Sequence, residues 1–543
     1  METGSFILLL HSHIPYCKMA GTWPFGEEWL FEAMAETYIP ILDFISKDDF
    51  FERQVGLTIS FTPVLLEQMS DDYMKERFSD YLKMKISQAK GDHERFEGVR
   101  EGRLSGLSEY YIGYYEDILK RYESELDRDV VKEVRRLQDS GRIEAITSAA
   151  THAYLPLFSD ERSVREQISV GCETYERHMG KRPRGIWLPE CGFKDDEGRW
   201  TVKALEDNGI EYFFVESHSV YPKSRQNAPS SYAVSSGFDG KCEPCEEGER
   251  NPYRSYRVYR LKDSKLNVFV RNFETASQVW SKDMGYPGDG AYREFHRLDD
   301  VSGMRYWKVT NREADLGHKD IYNPQDALKR TEVHAEHFVG LVEKCLDDYK
   351  AYSGNDGVVV APYDMELFGH WWFEGVKWLE KVCELMASSD VNMTTASRYL
   401  DRAGDMERPS VAVAESSWGQ GGKHEVWMNV DTGWIWDKIH ENEAKAAELY
   451  DIAQDGNEEL AELAAQGVRE FMLMCSSDWP FLITTGQARE YAIERFKGHL
   501  KNFKALYEAA VSQDDLMYDR DAEFVLPEDF GHVKTADSLF GWI

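Results

Sequence analysis

The sequence predicts an α/β fold: a seven-stranded (β/α) barrel with a helical insertion and an α-helical C-terminal domain. Three observations predict it. Short apolar strands alternate with helical stretches of roughly a dozen residues or more through the first two thirds of the chain, the pattern of a parallel sheet or barrel. Seven of these strands finish in polar residues of catalytic type, and barrel chemistry sits at the C-terminal ends of strands. After Met406 the alternation stops and Ala/Glu/Leu-rich helical sequence takes over.

In chain order, the strands are expected at Phe6–His13, Val55–Thr62, Ile143–Thr151, Gly185–Glu190, Tyr212–Glu216, Leu266–Asn272 and Val358–Tyr363. His11, Thr62, His152, Glu190, Glu216, Arg271 and Asp364 fall at or beside their ends. The run Phe6–Leu10 is short, lacks a basic lead and breaks at His11, so it reads as a buried strand and not a signal peptide. From Leu65 to about Ser140 the chain is charged and helical with no strand, which reads as an insertion between the second and third strands. Ser217–Lys265 is rich in Ser, Pro, Gly and Arg and reads as a loop or hairpin over the barrel mouth. In Glu441–Met474 and Gln487–Val511 apolar residues such as Phe496, Leu500, Phe503 and Tyr507 recur at three- and four-residue spacing, which predicts helices. The expected division is therefore 1–64 with 141–405 for the barrel, 65–140 for the insertion and 406–543 for the C-terminal domain. No internal repeat or low-complexity tract interrupts it.

Charge narrows the function. Against 64 Lys and Arg stand 97 Asp and Glu, a net charge of −33. Such a surface repels phosphate backbones and anionic membranes, so nucleic-acid and membrane partners are disfavoured and a neutral or cationic substrate is favoured. Apolar residues make up 42% of the chain, too many for a disordered acidic protein. Eight cysteines are too sparse for a disulfide framework. Only Cys242 and Cys245 lie close together, and two thiols are half of what a structural zinc site takes, so free thiols without metal are expected there. No run approaches the ~18 apolar residues that span a bilayer, which makes a soluble cytoplasmic protein the default.

Four constellations carry chemistry. His11-Ser12-His13-Ile14-Pro15 puts two imidazoles on one face of the first strand, as metal ligands or as groups that grip hydroxyls. Thr151-His152-Ala153-Tyr154-Leu155-Pro156 places another histidine at a strand end. In Gly185–Phe193, Glu190 follows an apolar strand; a buried unpaired carboxylate costs several kcal/mol, so a cationic partner or a catalytic role should account for it. In Ala361–Trp372, Asp364 ends another apolar strand, as a helix N-cap or as a catalytic group. Two carboxylates on different strands are what glycoside hydrolysis requires, one as nucleophile and one as acid/base. A separation of about 5–5.5 Å goes with retention and about 6.5–9.5 Å with inversion. Trp23, Trp29, Trp280, Trp418 and Trp427 occur in loop-like contexts suited to stacking on sugars, whereas Trp187 and Trp378 read as core.

Taken together these motifs resemble glycoside hydrolase family 57, within it the α-1,4-glucan branching enzyme and amylase-like group. The resemblance rests on His11–Pro15, Thr151–Pro156, Trp187–Phe193, Ala361–Trp372 and Ser476–Phe481 in order. Linking stretches match too: Trp23–Trp29, Gln278–Trp280, Gly285–Asp289, Tyr292–Phe295 and Ser416–Gly419. The resemblance implies a distorted seven-stranded barrel and a retaining double displacement without metal or other cofactor. It implies Glu190 as nucleophile and Asp364 as acid/base. His11, His13, His152, Arg271 and Asp478 would line the donor subsites, and Trp23, Trp29, Trp280, Trp418 and Trp427 would stack on the glucan, in a cytoplasmic enzyme of storage-glucan (glycogen) metabolism.

Branching members resembling this chain carry a shielding Tyr in a loop after the fifth strand; here Pro229 aligns with it, with Tyr221 and Tyr232 nearby. The stretch Gly237–Asn251 is not part of the family pattern. Branching is therefore the expectation, with an α-amylase-type hydrolase or a 4-α-glucanotransferase as alternatives, and Ser217–Ser236 is the expected lid. Remoter alternatives are a metal-dependent barrel hydrolase using His11, His13, His152 and Asp364, and a non-catalytic glucan-binding protein.

Overall fold

The computed structural model describes residues 4–47, 50, 55–195, 197–221, 253–281, 284–404, 408–454 and 458–511. Cys242, Cys245, Pro229, Tyr232 and most of the expected lid lie outside the described residues, as does 512–543. The strands are β1 (Gly4–Ser12), β2 (Leu57–Phe61), β3 (Ile143–Ile146), β4 (Gly185–Ile186), β5 (Tyr212–Val215), β6 (Tyr259–Leu261), β7 (Asn267–Val270), β8 (Gly357–Asp364), β9 (Val391–Met393) and β10 (Ser410–Val411). All seven expected strands are present. The short β6, β9 and β10 carry too few residues to show a two-residue period, and were not anticipated.

These strands make two five-stranded sheets rather than the single distorted seven-stranded barrel expected. One runs β3-β2-β1-β8 with β9 also on β1, and the other β10-β6-β7-β5-β4. Pairing is parallel except between β6 and β7. The reason for the open seams is strand length: β4 has two residues, so contact with the first sheet shrinks to one bridge, Thr147 with Ile186. At the other seam the Asn272 N–H donates to the Val360 carbonyl at 2.8 Å.

Strand alternation sorts the core into three parts. Phe6, Leu8 and Leu10 of β1, with Val359, Ala361 and Tyr363 of β8, face a core shared with the helical insertion. Phe213 and Val215 of β5, with Val268 and Val270 of β7, face a core shared with the C-terminal helices. Ile7, Leu9, Val358, Val360, Phe214 and Phe269 point the other way and meet between the sheets. His11 continues the parity of Ile7 and Leu9, so the strand period aims it into that shared interior.

The expected insertion is helical throughout: Pro63–Ser70, Asp72–Gly98, Gly102–Lys120 and Val130–Asp139. Asp71 caps the second of these by accepting from the Met74 N–H. Buried ion pairs tie this half together. Arg293 bonds Glu36 through both Nη atoms and lies 3.8 Å from the Phe373 ring centroid, and Arg305 bonds Glu32. The family-like stretch Tyr292–Phe295 is therefore a clamp within the scaffold. The C-terminal helices run Gly433–Gln454, Glu458–Met474, Asp478–Thr485 and Arg489–Val511, the first starting eight residues before its expected boundary. The six described cysteines are buried and form no disulfide with one another, and no described helix is long and apolar enough to cross a membrane.

Candidate active site

Both sheets deliver side chains to one place. At the end of β1, His11 and His13 lie on the same face, with rings 6.2 Å apart. His11 Nδ1 sits 3.2 Å from Ser60 Oγ, and His11 Nε2 3.0 Å from His152 Nε2. His13 Nδ1 meets Thr62 Oγ1 at 3.1 Å, its Nε2 meets Asp478 Oδ2 at 2.8 Å, and its ring stacks on His152 at 3.9 Å. β8 pairs in register with β1 and sets Asp364 opposite His11.

Glu190 comes from the other sheet. It sits just past β4 in the turn Pro189–Cys191 with φ 58° and ψ 24°, and Cys191 after it also has positive φ. Non-glycine residues rarely hold this conformation, and clusters of such strain occur where geometry serves function. Two donors fix the carboxylate: Trp418 Nε1 donates to Oε2 at 2.7 Å and Ser477 Oγ to Oε1 at 3.1 Å. Each donor arrives on a segment pinned to the sheet. Phe193 bridges Ser416 and the Trp418 N–H donates to the Glu190 carbonyl, while Ala153 bridges Ser476 and the Ser477 N–H donates to the His152 carbonyl. The C-terminal helices thus complete the site.

Electrostatics separates the carboxylates. Burial, with Asp478 nearby, raises Glu190 to about 7 against the pull of its two donors and His13. Asp364 is pushed well above the usual carboxylate range by burial, then by Glu366 and Glu190, with Arg271 acting the other way. Burial and the neighbouring imidazoles hold His11 and His152 well below the ordinary histidine value. For His13 burial also opposes charge, but Asp478, aided by Glu366 and Glu190, outweighs it and raises its pKa. The result is a pocket in which His13 is the imidazole whose charge is favoured, beside two whose charge is disfavoured and carboxylates that ionise reluctantly.

Other expected residues divide. Arg271 is 3% exposed and donates to Glu216 Oε1 at 2.6 Å, 5.4 Å from the Trp418 ring, so it braces the wall. Trp23 is 72% exposed. Trp29 is half-buried against Tyr491, and Trp280 is half-buried. Among the described residues no hydrogen bond or ring contact links Trp23, Trp29 or Trp280 to the cluster. Trp427 differs from expectation: it is 1% exposed, stacked on Tyr154 at 4.2 Å, and leaves no face for a glucan. Trp187 and Trp378 are core, as expected.

Sequence reasoning missed Glu366, Ser477 and the partnership of Glu216 with Arg271. Glu366 is buried, accepts from the His13 N–H at 3.0 Å and from Tyr38 Oη, and is raised to about 7 by burial. Its signal was a second acid two residues after Asp364. For metal, one ligand atom each of His13, His152 and Asp478 lies within 4.8 Å of the others. The carboxylate that joins the histidines is thus Asp478, not the Asp364 of the metal-hydrolase alternative.

The sequence profile of glycosyl hydrolase family 57 matches residues 7–412. The chain belongs to that family. A second profile, for the C-terminal part of 1,4-alpha-glucan branching enzyme, matches 438–543. Across 516 residues this family 57 chain is 40% identical to a 1,4-alpha-glucan branching enzyme of Thermococcus kodakarensis, over 93% of this chain and 73% of that protein. Its fold matches the crystal structure of a family 57-type branching enzyme from Pyrococcus horikoshii with a TM-score of 0.85 and 39% identity, covering 99% of this chain and 95% of the other. It is also similar to an α-amylase of Thermotoga maritima, with a TM-score of 0.81 and 32% identity over 100% and 98% of the two chains.

Proposed function

We propose that the chain is a 1,4-α-glucan branching enzyme that works by a retaining double displacement with Glu190 as nucleophile and Asp364 as acid/base. The activity follows from the likeness to branching enzymes over 93% or more of this chain together with the branching-enzyme C-terminal profile. One observation supports the assignment of roles. The Glu190 carboxylate has two fixed donors that favour its ionised form, while Asp364, facing Glu366 and Glu190, is kept protonated. Asp364 gives its proton to the glycosidic oxygen as Glu190 attacks the anomeric carbon, forming a glycosyl ester. It then takes the proton of an acceptor C6 hydroxyl, whose oxygen displaces Glu190. His11, His13, His152 and Asp478 line the donor side in this reading, and Trp23, Trp29, Trp280 and Trp418 stack on the glucan.

The same reading places the enzyme in the cytoplasm on stored, glycogen-like glucan. It keeps 1–64 with 141–405 as catalytic unit, 65–140 as insertion and 406–543 as a C-terminal unit that contributes Ser477 and Asp478. The test is amylose treatment followed by proton NMR. New α-1,6 signals exceeding the reducing ends released are expected, with the transferred linkage retained in configuration. Reducing ends without new α-1,6 signals would make the chain a hydrolase like the 32%-identical amylase.

A further inference from the structure

Trp418 reaches Glu190 from a loop poorly suited to hold anything still. Between Glu415 and His424 the chain carries three glycines, Gly419, Gly421 and Gly422. Gly421 and Gly422 have φ of 79° and 73°, the left-handed region that glycine adopts freely. Glycine loses the most conformational freedom on ordering, so side chains must hold such a loop in place. Its first limb is fixed by the backbone bonds to Phe193 and Glu190. On the return limb the Gly422 carbonyl accepts from the Ser417 N–H and from His218 Nε2, each at 3.0 Å, and Ser417 Oγ donates to the Lys423 carbonyl.

His424 ends the loop and ties it to the floor of the site. Its Nε2 donates to Glu415 Oε1 at 2.6 Å, which joins the two ends of the loop, and its Nδ1 lies 2.7 Å from Tyr154 Oη. Tyr154 is fully buried and its ring stacks on Trp427 at 4.2 Å. This pair supports both partners of the catalytic hydrogen bond. A Cβ at Gly192, two residues after Glu190, would come within 2.7 Å of the Tyr154 ring, and one at Gly419, next to Trp418, within 2.7 Å of the Trp427 ring. A buried hydroxyl needs a partner, and His424 supplies it for Tyr154.

We infer that His424 is a positioning residue of the catalytic centre: bonded to Tyr154 on one side and Glu415 on the other, it closes the glycine loop and holds the Trp418 indole N–H on Glu190. It touches no reacting atom itself. Its two bonds are unequal. The Glu415 side chain is 46% exposed, and a solvated ion pair contributes little, so the sheltered bond to Tyr154 carries most of the effect and Glu415 orients the ring. A hydrogen bond in a catalytic site loses its value with displacements well under an ångström, which is why a loop rich in glycine needs this closure. The consequence for activity rests on the reading of Glu190 as nucleophile; the placement of Trp418 does not.

The experiment uses the full chain labelled with 5-fluorotryptophan, the Trp418 fluorine resonance being identified by its loss in Trp418→Phe. His424→Leu, checked for folding by thermal melting, should move that resonance without glucan present. It should also raise the acidic limb of kcat/KM by about half a pH unit or more, about threefold in rate on the acidic side. In the double variant with Trp418→Phe the limb should stay where Trp418→Phe alone puts it, because both changes act through one hydrogen bond. His424→Gln, which keeps a donor and an acceptor, should restore most of both signals. If His424→Leu does not fold, Tyr154→Phe removes the same inner bond and should give the same pair of effects. A resonance and a limb both unmoved in the folded variant, or a limb shift that simply adds to that of Trp418→Phe, overturns the inference. If the resonance moves and the limb does not, His424 still positions Trp418, and what falls is Glu190 as the group that ionises on that limb.

Discussion

The two walls of the site hold their carboxylates in opposite ways. On the β4 side Glu190 is gripped by Trp418 and Ser477, two donors that favour its charge and limit its rise to about 7. On the β1–β8 side no donor among the described residues reaches the Asp364 side chain, and Glu366 two residues on adds a like charge. Burial acts on both. The difference teaches that neighbours, not burial, set the two carboxyls apart: donors lower the cost of the anion, while a second carboxylate raises it.

The sharpest way to break this comparison is to remove each carboxyl in turn. Glu190→Gln and Asp364→Asn should each lower amylose turnover by at least about 10^4-fold, the scale seen when a nucleophile or its proton partner is lost. The two should part on a maltosyl substrate with a leaving group that departs without protonation. Asp364→Asn should then form and accumulate a covalent glycosyl-enzyme visible by mass spectrometry, and Glu190→Gln should not. The reverse pattern exchanges the roles.

Next in size is the loss of a donor. Trp418→Phe or Ser477→Ala removes a hydrogen bond to a charged group, about 1.5–3 kcal/mol, equivalent to about 1–2 pH units. The acidic limb of kcat/KM, which should rise through about 7 as Glu190 ionises, should move upward by that amount. An unmoved limb would mean another group controls it.

Glu366→Gln acts on the other wall. Losing its charge should lower the Asp364 pKa, so the alkaline limb of kcat/KM should shift to lower pH while the acidic limb stays. The smallest effect is on stability. Glu366 is raised in the folded state to about 7, so its contribution is fully present below the unfolded carboxylate pKa and is lost as pH rises through about 7. Between pH 6 and pH 9 the melting temperature of Glu366→Gln should therefore fall less than that of the parent. Equal slopes would show that the Glu366 charge is relieved by its neighbours.

Much of this was legible in the chain itself. All seven expected strands were readable as short apolar runs between helical stretches, and Glu190, Asp364, His11, His13 and His152 stood out as polar residues at apolar strand ends. The helical insertion and C-terminal helices showed through their 3.6-residue period. These are local signals, carried by neighbours in sequence.

What tertiary structure alone decided is non-local. β4 has only two residues, which pair with β5 and leave a single bridge to the first sheet, so two sheets stand where one seven-stranded barrel was expected. Trp427 looks like a loop aromatic in sequence, yet Tyr154, 273 residues away, covers its face. Glu366 and Ser477 gain their roles only when β8 and the C-terminal segment meet β1 and the Glu190 turn. Composition and period dictate which elements form, because they act through the backbone and its immediate neighbours. Whether a buried carboxyl is an acid or an anion depends on donors and charges within a few ångströms, and folding is what brings those together.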